Sequence, residues 1–249
     1  MIASLPMYDR PETAAVNDRL WQGVRERLGQ GPAHLTRGGD LWAEWQSPDL
    51  ILSQTCGLPY RARLHDRVHL VATPIHDLPD CPEGQYYSVF VVRADDPRTR
   101  PQDFAGAVLA YNEPLSQSGW AAPQAFAAAD GFAFGPTLRT GAHRLSARAV
   151  AEGRADIAAI DALTWVLITR HDGFARGLRV IGRTDPTPAL PFITAMTRDP
   201  APIRAALSEA VAALSVADRH TLGLLGVTIL TPEAYRALPI PAPPAADLA

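Results

Sequence analysis

Thr140-Gly141-Ala142-His143-Arg144-Leu145-Ser146-Ala147-Arg148-Ala149-Val150-Ala151-Glu152-Gly153-Arg154-Ala155-Asp156-Ile157-Ala158-Ala159-Ile160-Asp161 decides the fold class. It reads as a turn, a short helix stopped at Gly153 and a buried apolar strand that delivers Asp161 at its carboxyl end. A turn, helix and strand in that order is the α/β repeat, and its strands gather ligand-binding groups at their carboxyl ends. His143 falls at the helix entrance. Upstream, Asn112-Glu113-Pro114-Leu115-Ser116-Gln117-Ser118-Gly119 is a hydroxyl-rich turn of the kind that holds a small oxyanion on backbone N–H groups and short side chains. Both segments point to a receptor for a small anion.

The same alternation extends outward. Residues 1–5 read as a short strand, and Pro11 opens a helix whose Val16, Leu20, Val24 and Leu28 form one apolar stripe ended by Gly29. Leu50 to Leu52 and Val68 to Ala72 read as buried strands, the second ending before Thr73-Pro74. Tyr86 to Val92, aromatic and β-branched throughout, is the strongest strand signal. A second unit follows: a strand from Ala107 to Tyr111, the serine turn, an alanine-rich helix from about Pro123 to Ala129, and the Thr140 to Asp161 run. Leu163 to Thr169 then reads as helix and Leu178 to Ile181 as strand. Thr184-Asp185-Pro186-Thr187-Pro188 breaks the pattern. Pro202 to Leu214 is a helix with Ile203, Leu207, Val211 and Leu214 on one face and Asp199 as its cap. The expected architecture is α/β with mostly parallel sheets. The breaks near Gly84-Gln85 and Thr187-Pro188 mark an inserted lobe: residues 1–85 plus 189–249 as lobe 1 and 86–188 as lobe 2. The Pro- and Ala-rich last ten residues are expected to be disordered.

Composition bounds the function. A chain of 249 residues, 47% hydrophobic, buries a sizeable core, and a net charge of -3 with interspersed signs offers no field for nucleic acid. Cys56 and Cys81 are too few for a disulfide framework and lack zinc-ligand spacing; they read as structural, with a single bridge left open for an oxidising compartment. No leader and no membrane-spanning stretch is evident, which leaves either a cytoplasmic protein or a leader outside this sequence.

Taken as an ordered set, Ser116-Gln117-Ser118-Gly119, Thr140-Gly141-Ala142-His143, Ala149 to Asp156 and Ala159-Ile160-Asp161 resemble the phosphate/phosphite/phosphonate-binding proteins of ABC importers. Leu5-Pro6-Met7-Tyr8-Asp9, Ser53 to Gly57, Tyr86 to Val89 and Thr187 to Phe192 extend the likeness over nearly the whole chain. The resemblance implies a type II periplasmic-binding fold, two α/β lobes joined by two hinge crossings and closing on a ligand. It implies that Ser116, Gln117 and Ser118 form the oxyanion turn, with Gln117 where the family has a hydroxyl. It further implies that His143 is the anion-binding histidine, Asp161 the pocket acid, and Tyr8, Gln54 and Tyr87 further cleft residues. The expected partners are a small-molecule oxyanion and an ABC permease, with no nucleic acid, cofactor, metal or catalytic residue, in a monomer placed in the periplasm by family.

Read singly, the residues have plainer roles. Ser116 and Ser118 suit helix caps, Asp161 suits a cap for the helix after it, and Trp42 with Trp45 suits packing at helical spacing. An enzyme on the same fold, of the menaquinone-pathway or transferase kind, is the alternative, because fold does not fix function. A sensor subunit binding the same ligand is a third reading.

Overall fold

The computed structural model describes residues 1–244. Its strands are β1 (Ile2–Ala3), β2 (Leu50–Gln54), β3 (Val68–His76), β4 (Gln85–Tyr86), β5 (Ser88–Arg93), β6 (Leu109–Tyr111), β7 (Thr137–Arg139), β8 (Ile157–Asp161), β9 (Leu178–Arg183), β10 (Thr187–Pro188), β11 (Phe192–Ala195) and β12 (Leu224–Thr228). They form two five-stranded sheets, ordered β1-β2-β11-β3-β12 and β7-β6-β8-β5-β9, while β4 and β10 pair with each other. The chain divides into two compact units, Met1–Gln85 with Pro188–Leu238, and Tyr86–Thr187 with the described residues from Pro239 on.

In the first unit the stripe on helix Ala14–Leu28 does what its four-residue spacing predicts. Val16, Leu20, Trp21 and Val24 are buried against Ile203, Leu207, Ala210 and Val211 of helix Pro200–Ala213 and against the sheet. Gly29 ends the first helix in a left-handed conformation at φ 66, and Asp199 caps the other by accepting from Ala201 N–H at 2.9 Å. A second cluster joins Trp45, Tyr60, Leu64, Ile193 and Tyr235. Trp42 and Trp45 meet edge to face at 5.3 Å, as packing. In the second unit Phe90, Phe104, Leu109, Tyr111, Trp120 and Ile157 form the core.

Three expectations need correction. The sheets are mixed, not mostly parallel: β1/β2, β6/β7 and β6/β8 are parallel, whereas β11 runs antiparallel to β2 and β3, β12 to β3, and β5 to β8 and β9. A strand that enters a sheet from the edge where the parallel strands end must run against them, and β5 and β11 each begin just after a crossing segment. Ser88 of β5 faces Asp161 at the end of β8, and Phe192 of β11 faces Gln54 at the end of β2. The strand from Val68 does not stop at Thr73; it runs through Pro74 to His76, with Pro74 opposite Val227 of the edge strand β12. The described part of the tail falls with the second unit rather than with lobe 1. There Trp120 Nε1–H donates to the Ala242 carbonyl at 3.0 Å, a contact with no sequence signal. Residues 240–244 carry no helix or strand, and the rest of the expectation for the tail lies outside the described residues. Among the described residues no helix is long and apolar enough to cross a membrane.

Candidate functional site

The second unit gathers the serine turn, His143 and Asp161 on one sheet edge, because each follows or ends a strand of the same direction. The turn follows β6, the Thr140–His143 segment follows β7, and Asp161 ends β8. Ser116 is the N-cap of a helical segment running from Gln117 through Ala129, whose first turn, Gln117–Ala121, is a wide π turn. Its Oγ accepts from Gly119 N–H at 3.0 Å, while its carbonyl accepts from Ala121 N–H at 3.0 Å. Helix His143–Ala151 begins with Ser146 N–H donating to the Ala142 carbonyl, so its first-turn N–H groups point out of the N-terminus.

These two helix starts meet at Ser118 and His143, whose Oγ and Nε2 lie 2.7 Å apart. The approach demands a glycine at 119, since a Cβ there would stand 2.0 Å from Asn112 Oδ1 and 3.2 Å from His143 Cε1. Ser88 fastens the turn from below: its hydroxyl donates to the Ser118 carbonyl at 2.9 Å, while its N–H donates to Thr184 Oγ1 at 3.0 Å. Thr140 and Ser146 hydroxyls, 2.7 Å apart, hold the entrance of the His143 helix. Sequence reasoning missed Ser88, whose only local signal is that it begins a strong strand.

Asp161 is buried and caps helix Ala162–His171, its Oδ1 accepting from Thr164 N–H at 2.7 Å. Gln117 is buried beside Ser116 and Ser118. Tyr87 is buried between β4 and β5, where its carbonyl accepts from Ala162 N–H at 3.0 Å and the Arg183 guanidinium lies 4.9 Å from its ring centroid. Ser116, Gln117, Ser118, His143, Asp161 and Tyr87 all belong to the second unit.

Tyr8 and Gln54 belong to the first unit, and both line one small cavity with Asn17, His76 and Phe192. Gln54 ends β2 and His76 ends β3, so this too is a carboxyl edge. Gln54 Nε2 donates to the Leu190 carbonyl at 3.1 Å. His76 is a residue that sequence reasoning passed over as an ordinary core or surface histidine. Among the described residues no group of three or more His, Cys, Asp or Glu side chains is placed to hold a metal ion.

Burial pushes both His143 and His76 down to about 4, an effect only partly offset by backbone hydrogen bonds at Ala159 and Gly223. Each ring is therefore neutral near pH 7. In the unfolded chain both return to the ordinary value of 6.5, so between about 4 and about 6.5 the unfolded state holds more protons. Stability thus rises with pH across that window and is lost as pH falls through it. NMR titration checks the cause: both rings should stay neutral as the pH is lowered from 7 to 5. Normal titration of either ring would contradict its burial.

Comparison with known proteins gives the family and the fold. Residues 52–233 match the family described as ABC transporter, phosphonate, periplasmic substrate-binding protein. No curated protein sequence matches the chain. Among solved structures, PhnD1 from Prochlorococcus marinus in complex with methylphosphonate is similar at TM-score 0.74 and 14% identity, over 95% of this chain and 94% of that one. A binding protein component of an ABC phosphonate transporter from Pseudomonas aeruginosa is similar at TM-score 0.71 and 14% identity, over 91% of this chain and 80% of that one. XAC2383 from Xanthomonas citri, bound to chloride ion, is similar at TM-score 0.69 and 17% identity, over 95% and 94%. These likenesses show the two-lobed periplasmic-binding fold, and the family is one of solute capture rather than catalysis, which leaves the enzyme alternative without support. With most of its length matched, the chain belongs to the phosphonate periplasmic substrate-binding protein family of ABC transporters.

Proposed function

We propose that this protein captures a small phosphorus oxyanion or organophosphonate and hands it to an ABC permease. The family supplies the coarser statement, a small-molecule ligand and a permease partner. The single observation that carries the finer one is the 2.7 Å Ser118–His143 contact at the meeting of two helix starts. The contact fixes Ser118 Oγ and His143 Nε2 at the point where the first-turn N–H groups of two helices supply donors for an anion. The methylphosphonate held by PhnD1 is an anion of this size and charge. On this reading Ser116, Gln117, Ser118 and His143 receive the phosphorus group and Asp161 and Tyr87 flank it. Tyr8 and Gln54 of the first unit are further ligand residues, and ligand is expected to favour a closed form by movement about the two crossings. The protein works as a monomer in the periplasm and binds no nucleic acid.

A thermal-shift panel of phosphate, phosphite, methylphosphonate, 2-aminoethylphosphonate and sulfate tests this. A ligand present at a hundred times its Kd adds about 2.7 kcal/mol of stability. A clear rise in Tm with a phosphorus ligand, together with compaction in small-angle scattering, is expected. No shift with any of the four phosphorus compounds would rule the reading out.

Asp161 gives the site a filter. A carboxylate only accepts, so beside a fully deprotonated oxyanion it repels, whereas beside a P–OH or an ammonium it accepts a charge-assisted hydrogen bond. Sulfate, without a proton near neutral pH, is rejected on this ground. Asp161→Asn, whose side chain retains a cap acceptor, is expected to narrow the preference for protonated or amino-bearing ligands over sulfate. Competition titrations near pH 7 measure it, and unchanged discrimination would reduce Asp161 to its role as a helix cap.

A further inference from the structure

Pro123 sits where the hydrogen-bond register of the serine turn calls for an N–H. Ala121 N–H donates to the Ser116 carbonyl and Ala122 N–H to the Gln117 carbonyl, each bond reaching back five residues. The next bond in that register would run from residue 123 to the Ser118 carbonyl, and proline has no N–H to give. Ser118 is buried, and a buried carbonyl without a donor is costly.

The missing donor comes from a strand. The buried Ser88 hydroxyl, on β5, donates to the Ser118 carbonyl at 2.9 Å. Thr184, also buried, grips the Ser88 backbone on both sides: Ser88 N–H donates to Thr184 Oγ1 at 3.0 Å, and Thr184 N–H donates to the Ser88 carbonyl at 2.9 Å. The Ser118 carbonyl is therefore anchored to the sheet instead of to its own helix. Its side chain stems from the same residue, so the bond that holds the carbonyl also sets where Oγ points, 2.7 Å from His143 Nε2. Ser88, Ser118, Pro123, His143 and Thr184 all belong to the second unit.

We propose that Ser88 is a positioning residue for the anion turn: it stands in for the N–H that Pro123 lacks and so holds Ser118 in place beside His143. The inference rests on the phosphonate reading above and deepens it, naming a residue that acts on the ligand through Ser118. The two positions are chemically exchangeable. A donor at 123 would make the hydroxyl at 88 dispensable, whereas with proline at 123 the hydroxyl is required.

Calorimetry with methylphosphonate compares wild type with Ser88→Ala, Pro123→Ala and the double variant. Ser88→Ala should bind about tenfold more weakly, the worth of one good buried hydrogen bond. Pro123→Ala alone should bind as wild type does. In the double variant the new N–H takes over the Ser118 carbonyl, and affinity should return to within about twofold of wild type. A role confined to stability gives a different pattern: Ser88→Ala melts earlier while its Kd, measured well below the melt, stays unchanged. That result, or a double variant as weak as Ser88→Ala, would overturn the assignment. Hydrogen exchange without ligand gives an independent readout. The Gly119, Trp120 and Ala121 amides, all bonded to Ser116, should exchange faster in Ser88→Ala and slow again in the double variant, and equal rates throughout count against the proposal. Should Ser88→Ala fail to fold, Thr184→Val, which strips the acceptor from Ser88 N–H, takes its place in both comparisons. If wild-type protein does not bind methylphosphonate, the ligand reading falls and the exchange rates alone decide whether Ser88 holds the turn; wild-type binding with no loss in Ser88→Ala defeats this inference alone.

Discussion

Phe90→Ala is expected to cost about 3–5 kcal/mol of stability, the range for deleting a fully buried aromatic ring, because the hole it leaves cannot close. Phe90 has no exposed surface and lies in β5, a strand hydrogen-bonded on both sides, to β8 and to β9. Its ring packs on Phe126 at 4.9 Å and Phe134 at 6.2 Å between centroids. Phe126 lies on the helix that begins just after the serine turn, so the cavity would open between the sheet and the element that aims Ser118. A loss of function would accompany the loss of stability. Urea unfolding followed by tryptophan fluorescence should show an early transition assigned to the second unit, which holds Trp120 and Trp165. A midpoint within error of wild type would mean that this core repacks freely, contrary to its close packing.

Ser118→Ala is expected to weaken phosphonate binding by about 1–3 kcal/mol while leaving the fold close to wild-type stability. On the proposed reading a charged acceptor then goes short of a donor, and His143 Nε2 loses its partner at 2.7 Å. The fold depends little on it. The turn is held by the Ser116 cap, the Ser88 hydroxyl bonded to the Ser118 carbonyl, and the close contact at Gly119, none of which needs the Ser118 side chain. Calorimetry with methylphosphonate, run beside a thermal melt, separates the two effects. Wild-type affinity in Ser118→Ala would remove the serine turn from the binding site, and a large loss of Tm would show that the hydroxyl serves the structure instead.

What the sequence by itself determined is what neighbouring residues decide among themselves. The stripe Val16, Leu20, Val24 on one helix face, the left-handed Gly29 that ends it and the Asp199 cap of the last long helix act over a turn or two of chain. The same holds for the buried run Ile157 to Asp161. The serine turn and the His143 helix start were readable for the same reason, since each is a short segment with its own turn chemistry. Pairing across the chain was not readable. The antiparallel course of β5 and β11 follows from where a crossing segment enters a sheet, and Pro74 sits in a strand because the pairing of β11 with β3 ends at Ala72, so at Pro74 the ladder runs to β12 on one side. Ser88 reaches Ser118 across 30 positions, and His76 meets Gly223 across 147. A side chain's burial and its partner depend on which distant segments pack against it, and local periodicity carries no record of that choice; only the tertiary structure decided that His76 is buried with its Nδ1 against the Gly223 carbonyl.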